Sequence, residues 1–286
     1  MRRLLVPLLL LLNACASTLP QFGTAKLFAP GVVSTATTEV RIAFSPDGRR
    51  MLWGTIGRSG GPGGWEIFES TKVGEGWSAP APVRFNSAAN DFDPSFAPDG
   101  SGVYFFSNRD GGFGRDDLYF VPFANGHYGE PVNLGAGVNT PGDEWAPVVS
   151  HDGSTLLFAT DGRGGKGKHD LFFATRTNGA WGNARNVEAL NTADEDFDAT
   201  FLGDSRSIVL SSGDFEGAVA LYFVPFSHGR YGARVRLGDA VNPVAKDGWA
   251  WGPSTSATEP GVLYFTSHRD ESAGRADIYR VPFTPH

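Results

Sequence analysis

Asn86-Ser87-Ala88-Ala89-Asn90-Asp91-Phe92-Asp93-Pro94-Ser95-Phe96 opens the stretch that decides the fold. A turn at Pro98-Asp99-Gly100 leads into Val103-Tyr104-Phe105-Phe106-Ser107 and the loop Asn108-Arg109-Asp110-Gly111-Gly112. Asp117-Leu118-Tyr119-Phe120-Val121 follows, then Asn125-Gly126-His127-Tyr128-Gly129 and Pro131-Val132-Asn133-Leu134. Four short aromatic and β-branched runs separated by Pro, Asp, Asn and Gly predict four antiparallel strands joined by tight turns.

The unit recurs along the chain. Its first turn reappears as Pro46-Asp47-Gly48, His151-Asp152-Gly153, Gly203-Asp204-Ser205 and Glu259-Pro260-Gly261. The first four Asp of this column stand 52, 53 and 52 residues apart. The third strand recurs as Ile67-Phe68, Leu171-Phe172-Phe173, Leu221-Tyr222-Phe223 and Ile278-Tyr279. The fifth repeat ends after its third strand, and Phe22-Gly23-Thr24-Ala25-Lys26-Leu27 matches the missing fourth, being patterned like Tyr231-Gly232-Ala233-Arg234-Val235-Arg236. A repeat of this period whose two ends complete one unit predicts an all-β fold: a five-bladed β-propeller of four-stranded antiparallel blades, its ring closed by the N-terminal outer strand.

Asn139-Thr140-Pro141-Gly142-Asp143-Glu144-Trp145-Ala146-Pro147, with Ser107-Asn108-Arg109-Asp110-Gly111-Gly112 and Asp117-Leu118-Tyr119, resembles the WD40-like β-propeller repeat of bacterial envelope proteins such as TolB. The resemblance covers residues 21–286 and implies a fold more than an activity, because propellers host unrelated functions.

Arg2 and Arg3 followed by Leu4 to Leu12 have the form of an export signal, with an apolar run too short to span a bilayer. Leu12-Asn13-Ala14-Cys15 resembles a lipobox, which implies cleavage after residue 14 and lipidation of Cys15, the sole cysteine. The expected organisation is therefore a signal over 1–14, a lipidated tether over 15–20 and a propeller over 21–286. Processing would take the formal charge from -7 to about -9. So acidic a surface argues against nucleic acid as a partner. Five extended tether residues reach roughly 18 Å, so the face carrying the Pro98-Asp99-Gly100 turn is expected against the membrane. Ala16 after the Cys resembles lipoproteins sent to the outer membrane. A monomer is expected.

Two columns stand out when the repeats are compared. Arg58 with Glu66, Arg109 with Asp117, Arg163 with Asp170 and Arg269 with Asp277 are spaced 8, 8, 7 and 8 residues apart. The fourth repeat lacks both members, which predicts a direct structural ion pair. The second column is Glu39, Asp91, Glu144 and Asp196, with Ala250 in the fifth repeat, followed by Val40, Phe92, Trp145, Phe197 and Trp251. At the start of inner strands these residues would surround the channel mouth as a ligand or partner face, or else cap the entering loops. Asp93 and Asp198 add charge nearby.

Gly57-Arg58-Ser59-Gly60-Gly61 fits G-x-S-x-G but has no helix after it, so no catalytic serine is assigned. The six His show no metal-ligand spacing and predict no zinc site. Asp194-Glu195-Asp196-Phe197-Asp198 resembles the start of a calcium loop but lacks its glycine and terminal glutamate. No cofactor is expected beyond that calcium alternative. These features favour a lipid-anchored, non-enzymatic interaction module of the cell envelope that binds an envelope protein. The alternative is a glycan-binding or glycoside-hydrolase-like propeller using the acidic mouth and Trp65, Trp145, Trp249 and Trp251.

Overall fold

The structure, a computed structural model, describes residues 19–214, 218–244 and 248–284. The expected signal and Cys15 lie outside the described residues. All regular elements among the described residues are strands. The inner strands are Thr38–Phe44, Asp91–Phe96, Glu144–Val149, Glu195–Phe201 and Trp249–Ser256. Second and third strands follow each by antiparallel pairing, for example Gly102–Ser107 and Asp117–Ala124 in blade 2. The five inner strands touch in cyclic order, the last against the first, around a central axis. The chain is thus a five-bladed β-propeller.

Runs such as Val103-Tyr104-Phe105-Phe106 are apolar at every position because a blade is packed on both faces. Each pair of neighbouring blades encloses its own wedge of core. Leu52, Ile67, Phe85, Phe105, Tyr119 and Val121 fill the wedge between blades 1 and 2. Tyr104, Phe106, Phe158, Phe172 and Trp181 fill the next. A buried side chain of this size is worth about 2–3 kcal/mol, so the wedges hold the ring together.

The N-terminal segment supplies the outer strand of blade 5 in two pieces. Phe22 pairs with Phe283, and Leu27 pairs with Tyr279. Most outer strands are broken in this way. Pro122, Pro225 and Pro282 lack an N–H, but their carbonyls accept from Gly129, Gly232 and Gly23, each at 2.8 Å. Blade 3 has Thr175 at this position, and its outer strand Ala180–Asn186 runs unbroken through a register shift.

The first turn of four repeats closes as expected, with Gly48, Gly100 and Gly153 at φ of +67°, +75° and +73°. Ser205 takes the same left-handed conformation at φ +59°, one that glycine adopts more readily. The fifth turn differs from expectation. Glu259-Pro260-Gly261 lies inside the second strand Glu259–His268, and the hairpin turns at Ala257 and Thr258, with Ser256 paired to Glu259.

Candidate functional site

Every inner strand carries a bulge at the same place. The register shifts after Val40, Phe92, Trp145, Phe197 and Trp251. The next residues, Arg41, Asp93, Ala146, Asp198 and Gly252, all have positive φ, between 36° and 58°. A bulge sets two residues against one on the partner strand and re-aims the side chains there. In blades 2 and 4 both Phe92-Asp93 and Phe197-Asp198 line one axial cavity, on the side of the inner-strand starts.

The acid column does not reach that cavity. Glu39, Asp91, Glu144 and Asp196 are all fully buried and hold their entering loops. Glu39 accepts from Thr35 N and the Thr35 and Thr37 hydroxyls. Asp91 takes Ser87 N and Oγ, Glu144 takes Thr140 and Thr160, and Asp196 takes Thr192. Burial pushes the Glu39 and Glu144 carboxyls up, and the threonine hydroxyls partly offset it. Of the expected ligand face, only the following column lines the bowl: Phe92, Trp145, Phe197 and Trp251, with Val40.

The arginine column is corrected as well. Arg109 pairs with Asp91 at 2.5 Å, not with Asp117, and donates to the Phe85 carbonyl. Arg58, Arg163 and Arg269 donate to carbonyls at 32–33, 137–138 and 240–241, each in the loop entering their own blade. The acids Glu66, Asp117, Asp170 and Asp277 instead accept backbone N–H groups of their own hairpin loops, such as Gly63 N on Glu66 and Gly274 N on Asp277. The fourth repeat recovers its missing cation from elsewhere. Arg234, in the outer region of blade 4, donates to Asp196 at 2.8 Å and to Ser212, and stacks over Tyr222. Arg109 makes the same set with Asp91, Ser107 and Tyr119.

A second repeated device escaped sequence reading. Asn86, Asn139, Asn191 and Asn242 each accept the N–H and donate to the C=O of a fully buried residue near the start of the third strand, as Asn139 does with Leu118. Their spacing of 53, 52 and 51 residues was the available signal.

At the axis, Arg41, Asp93 and Asp198 form a buried belt. Arg41 Nη1 lies 3.8 Å from Asp198 Oδ1, and Nη2 donates to the Ala199 carbonyl at 3.2 Å. Among the described residues Asp93 Oδ1 and Arg41 Nε have no hydrogen-bond partner. Burial, reinforced by the Asp198 charge and opposed by Arg41, pushes the Asp93 carboxyl well above the usual range. Asp198 is raised by burial against the opposing charge of Arg41. Above the belt opens a bowl of about 430 Å³, walled by Trp65, Phe92, Trp145, Phe197, Trp249 and Trp251, with Arg275 among its lining residues. Trp249 and Trp251 stack at 4.0 Å and 8°. Below it, Arg41 borders a second axial cavity of about 360 Å³, lined also by Pro46, Pro98 and Pro260. A largely apolar concavity with a few converging polar groups is the usual form of a ligand site.

Next to the bowl, His169 stacks on Trp145 at 3.9 Å and reaches Glu195 through Nδ1 at 3.1 Å. Asp143 and Asp161 stand on its other side under Arg115. The stretch compared with a calcium loop is inner-strand backbone here: Glu195–Phe201 is a strand, with Asp196 on its loop and Asp198 at the axis. Ser59 sits in an exposed hairpin loop between two strands.

No family model matches the chain, and no curated protein matches it. Among solved structures it is similar to TolB from Acinetobacter baumannii, with a TM-score of 0.52 and 14% identity over 86% of this chain and 54% of that one. The chain therefore spans about half the length of that protein. The putative TolB from Agrobacterium tumefaciens gives 0.52 and 16% over 87% and 91% of the two chains. A gluconolactonase from Xanthomonas campestris gives 0.52 and 12%, with 88% of each chain covered. At these identities the fold is what is shared: a β-propeller similar to those of the TolB proteins and of the gluconolactonase.

Proposed function

We propose that the chain is an exported, lipid-anchored propeller of the cell envelope that works by binding a partner protein in its axial bowl. The observation that carries this is the bowl itself: aromatic walls over a floor where, among the described residues, buried Asp93 Oδ1 has no hydrogen-bond partner. A buried acceptor of that kind costs free energy until a donor reaches it. An inserted lysine or arginine side chain would bring N–H donors to Asp93 and Asp198 and a cation to the indole faces. The TolB-like fold and the signal-like Leu4 to Leu12 segment support an envelope setting.

A photocrosslinking residue at exposed Arg275, on the bowl's lining, tests this in cells. One envelope protein should be captured there, and Asp93→Asn should abolish the capture. Crosslinking unchanged by Asp93→Asn would refute the bowl as the docking point.

The stacked indoles of Trp249 and Trp251 favour a second reading, in which the bowl takes a sugar ring. Saturable binding on an envelope-glycan array that Trp249→Ala removes would select it, and release of reducing sugar would extend it to hydrolysis.

Gln21 pairs with Thr284 at the end of the last third strand, on the side of the bowl's opposite face. A lipid at Cys15 would then lay that face on the membrane and turn the bowl outward. Faster protease cutting at the Pro98-Asp99-Gly100 turn than at the Gly111-Gly112 loop in membrane-bound protein would contradict this orientation.

A further inference from the structure

We propose that Asp143, Asp161 and His169 form a binding site for a divalent first-row transition metal of the zinc class, at the top of blade 3 beside the bowl. This site does not depend on what the bowl binds. Each residue offers one ligand atom, and these atoms lie within 4.8 Å of one another. They come from three separate places in the chain, the start of an inner strand, the end of a second strand and the start of a third, so no sequence spacing marks them.

The second, independent observation is the state of His169. The residue is 6% exposed. Stacking on Trp145 and the contact of Nδ1 with Glu195 hold its orientation. In the tautomer that donates Nδ1–H to Glu195, an imidazole offers Nε2 as its free ligand atom. Among the described residues that Nε2 has no hydrogen-bond partner, and it points toward Asp143, 3.9 Å from Oδ2. With Nδ1 held by Glu195, Nε2 is the ring nitrogen left to meet a ligand, and it faces the two carboxylates that would share it. A carboxylate behind the histidine and carboxylates in front is the arrangement by which proteins orient a metal-bound imidazole. One imidazole nitrogen with two carboxylate oxygens suits zinc and its first-row neighbours and leaves open positions for water.

Arg115 now covers the two carboxylates. It donates to Asp143 through Nε and Nη2 at 3.0 and 2.6 Å and also reaches Asp161. Its side chain is 59% exposed and can turn into solvent without disturbing the core. Ligands about 2.1 Å from a tetrahedral metal stand roughly 3.5 Å apart, so loading requires Arg115 to leave and the two carboxylates to close inward. Arg115 is then a competitor for the site.

Isothermal titration of tag-free, chelator-treated protein with Zn²⁺ tests this, with Co²⁺ absorption as a reading of ligand type. One equivalent should bind. Arg115→Ala should tighten binding at least tenfold, and Asp161→Asn should weaken it at least tenfold. The Co²⁺ complex should show a d–d band that His169→Gln removes. Asp161 and Arg115 are at the surface, so their variants stay informative if His169→Gln fails to fold. Absence of saturable binding in both the parent and Arg115→Ala would overturn the proposal. So would binding that Asp161→Asn leaves unchanged, because that metal sits on other histidines.

Discussion

At the residue scale, the correction to the acid column has a geometric cause. Acids one and three of Asp91-Phe92-Asp93 look alike in sequence, but the bulge between them sends the first into the loop and the third to the axis. Arg234 shows the same point from the other side. Fully buried Asp196 keeps its cation although repeat four has no loop arginine. Removing one member of a buried pair costs about 3 kcal/mol or more. Arg234→Ala should therefore lower stability by about that amount in urea denaturation, as Arg109→Ala should in blade 2, whereas exposed Arg230→Ala should be silent.

Asp93 gives a prediction in pH. Its folded pKa is raised above the unfolded value, so its contribution to stability is full below about pH 4 and is lost as pH rises through the folded value. Near neutrality the acid is then a net cost. Asn tolerates the positive φ of 50° found here. Asp93→Asn should melt higher than the parent at pH 7 to 8, by about 2–4 °C for each kcal/mol recovered. The gain should vanish near pH 4. A thermal melt series that shows the same difference at both ends would exclude this titration as the cause.

At the element scale, strands and turns were legible because their signals are local. Apolar runs, Pro-Asp-Gly turns and a repeat near 52 residues depend on a few neighbouring residues each. The fifth turn was misplaced because Pro260 and Gly261 look like turn residues, while the pairing of Ser256 with Glu259 puts them in a strand. Bulges leave no such mark: Arg, Asp, Ala, Asp and Gly occupy the five positions, and only backbone geometry unites them. The asparagine clamps were visible as a spacing but not as a role, since their partners lie about 20 residues upstream. Gly252 tests the bulge as an element. A Cβ there would stand 3.2 Å from Thr266 Oγ1 and 3.5 Å from Arg41 Cβ, at φ +58°. Gly252→Ala should cost about 1–2 kcal/mol from the left-handed conformation alone. Ala146, which already bears a Cβ at φ 50° in blade 3, shows that the fold survives the strain, so the variant should fold and unfold at lower denaturant.

At the scale of the whole molecule, the blades cohere through wedges between them, and the wedges flanking blade 5 depend on the far end of the chain. Phe22, Ala25 and Leu27 pack on the wedge between blades 4 and 5. Phe28 enters the wedge between blades 5 and 1, edge-on to Phe44 and Tyr264. Its N–H bonds the Ile278 carbonyl at 2.8 Å. Residues 21–28 therefore join blade 5 to both neighbours and cover the edge of Asp277–Thr284. Without them that third strand would present unpaired N–H and C=O groups, a template for association with another chain. Losing several partly buried apolar side chains would also remove a few kcal/mol from a stability typically of about 5–15. A chain beginning at Val32 should lose hydrogen-exchange protection over 277–284 while blades 2 and 3 keep theirs, and it should associate as concentration rises. A synthetic peptide of residues 19–31 should restore protection and reverse that association, because the sheet edge and both wedges await the same segment. Protection over 277–284 that is unchanged by the deletion would mean that blade 5 is held by its own three strands and that the terminal segment closes nothing.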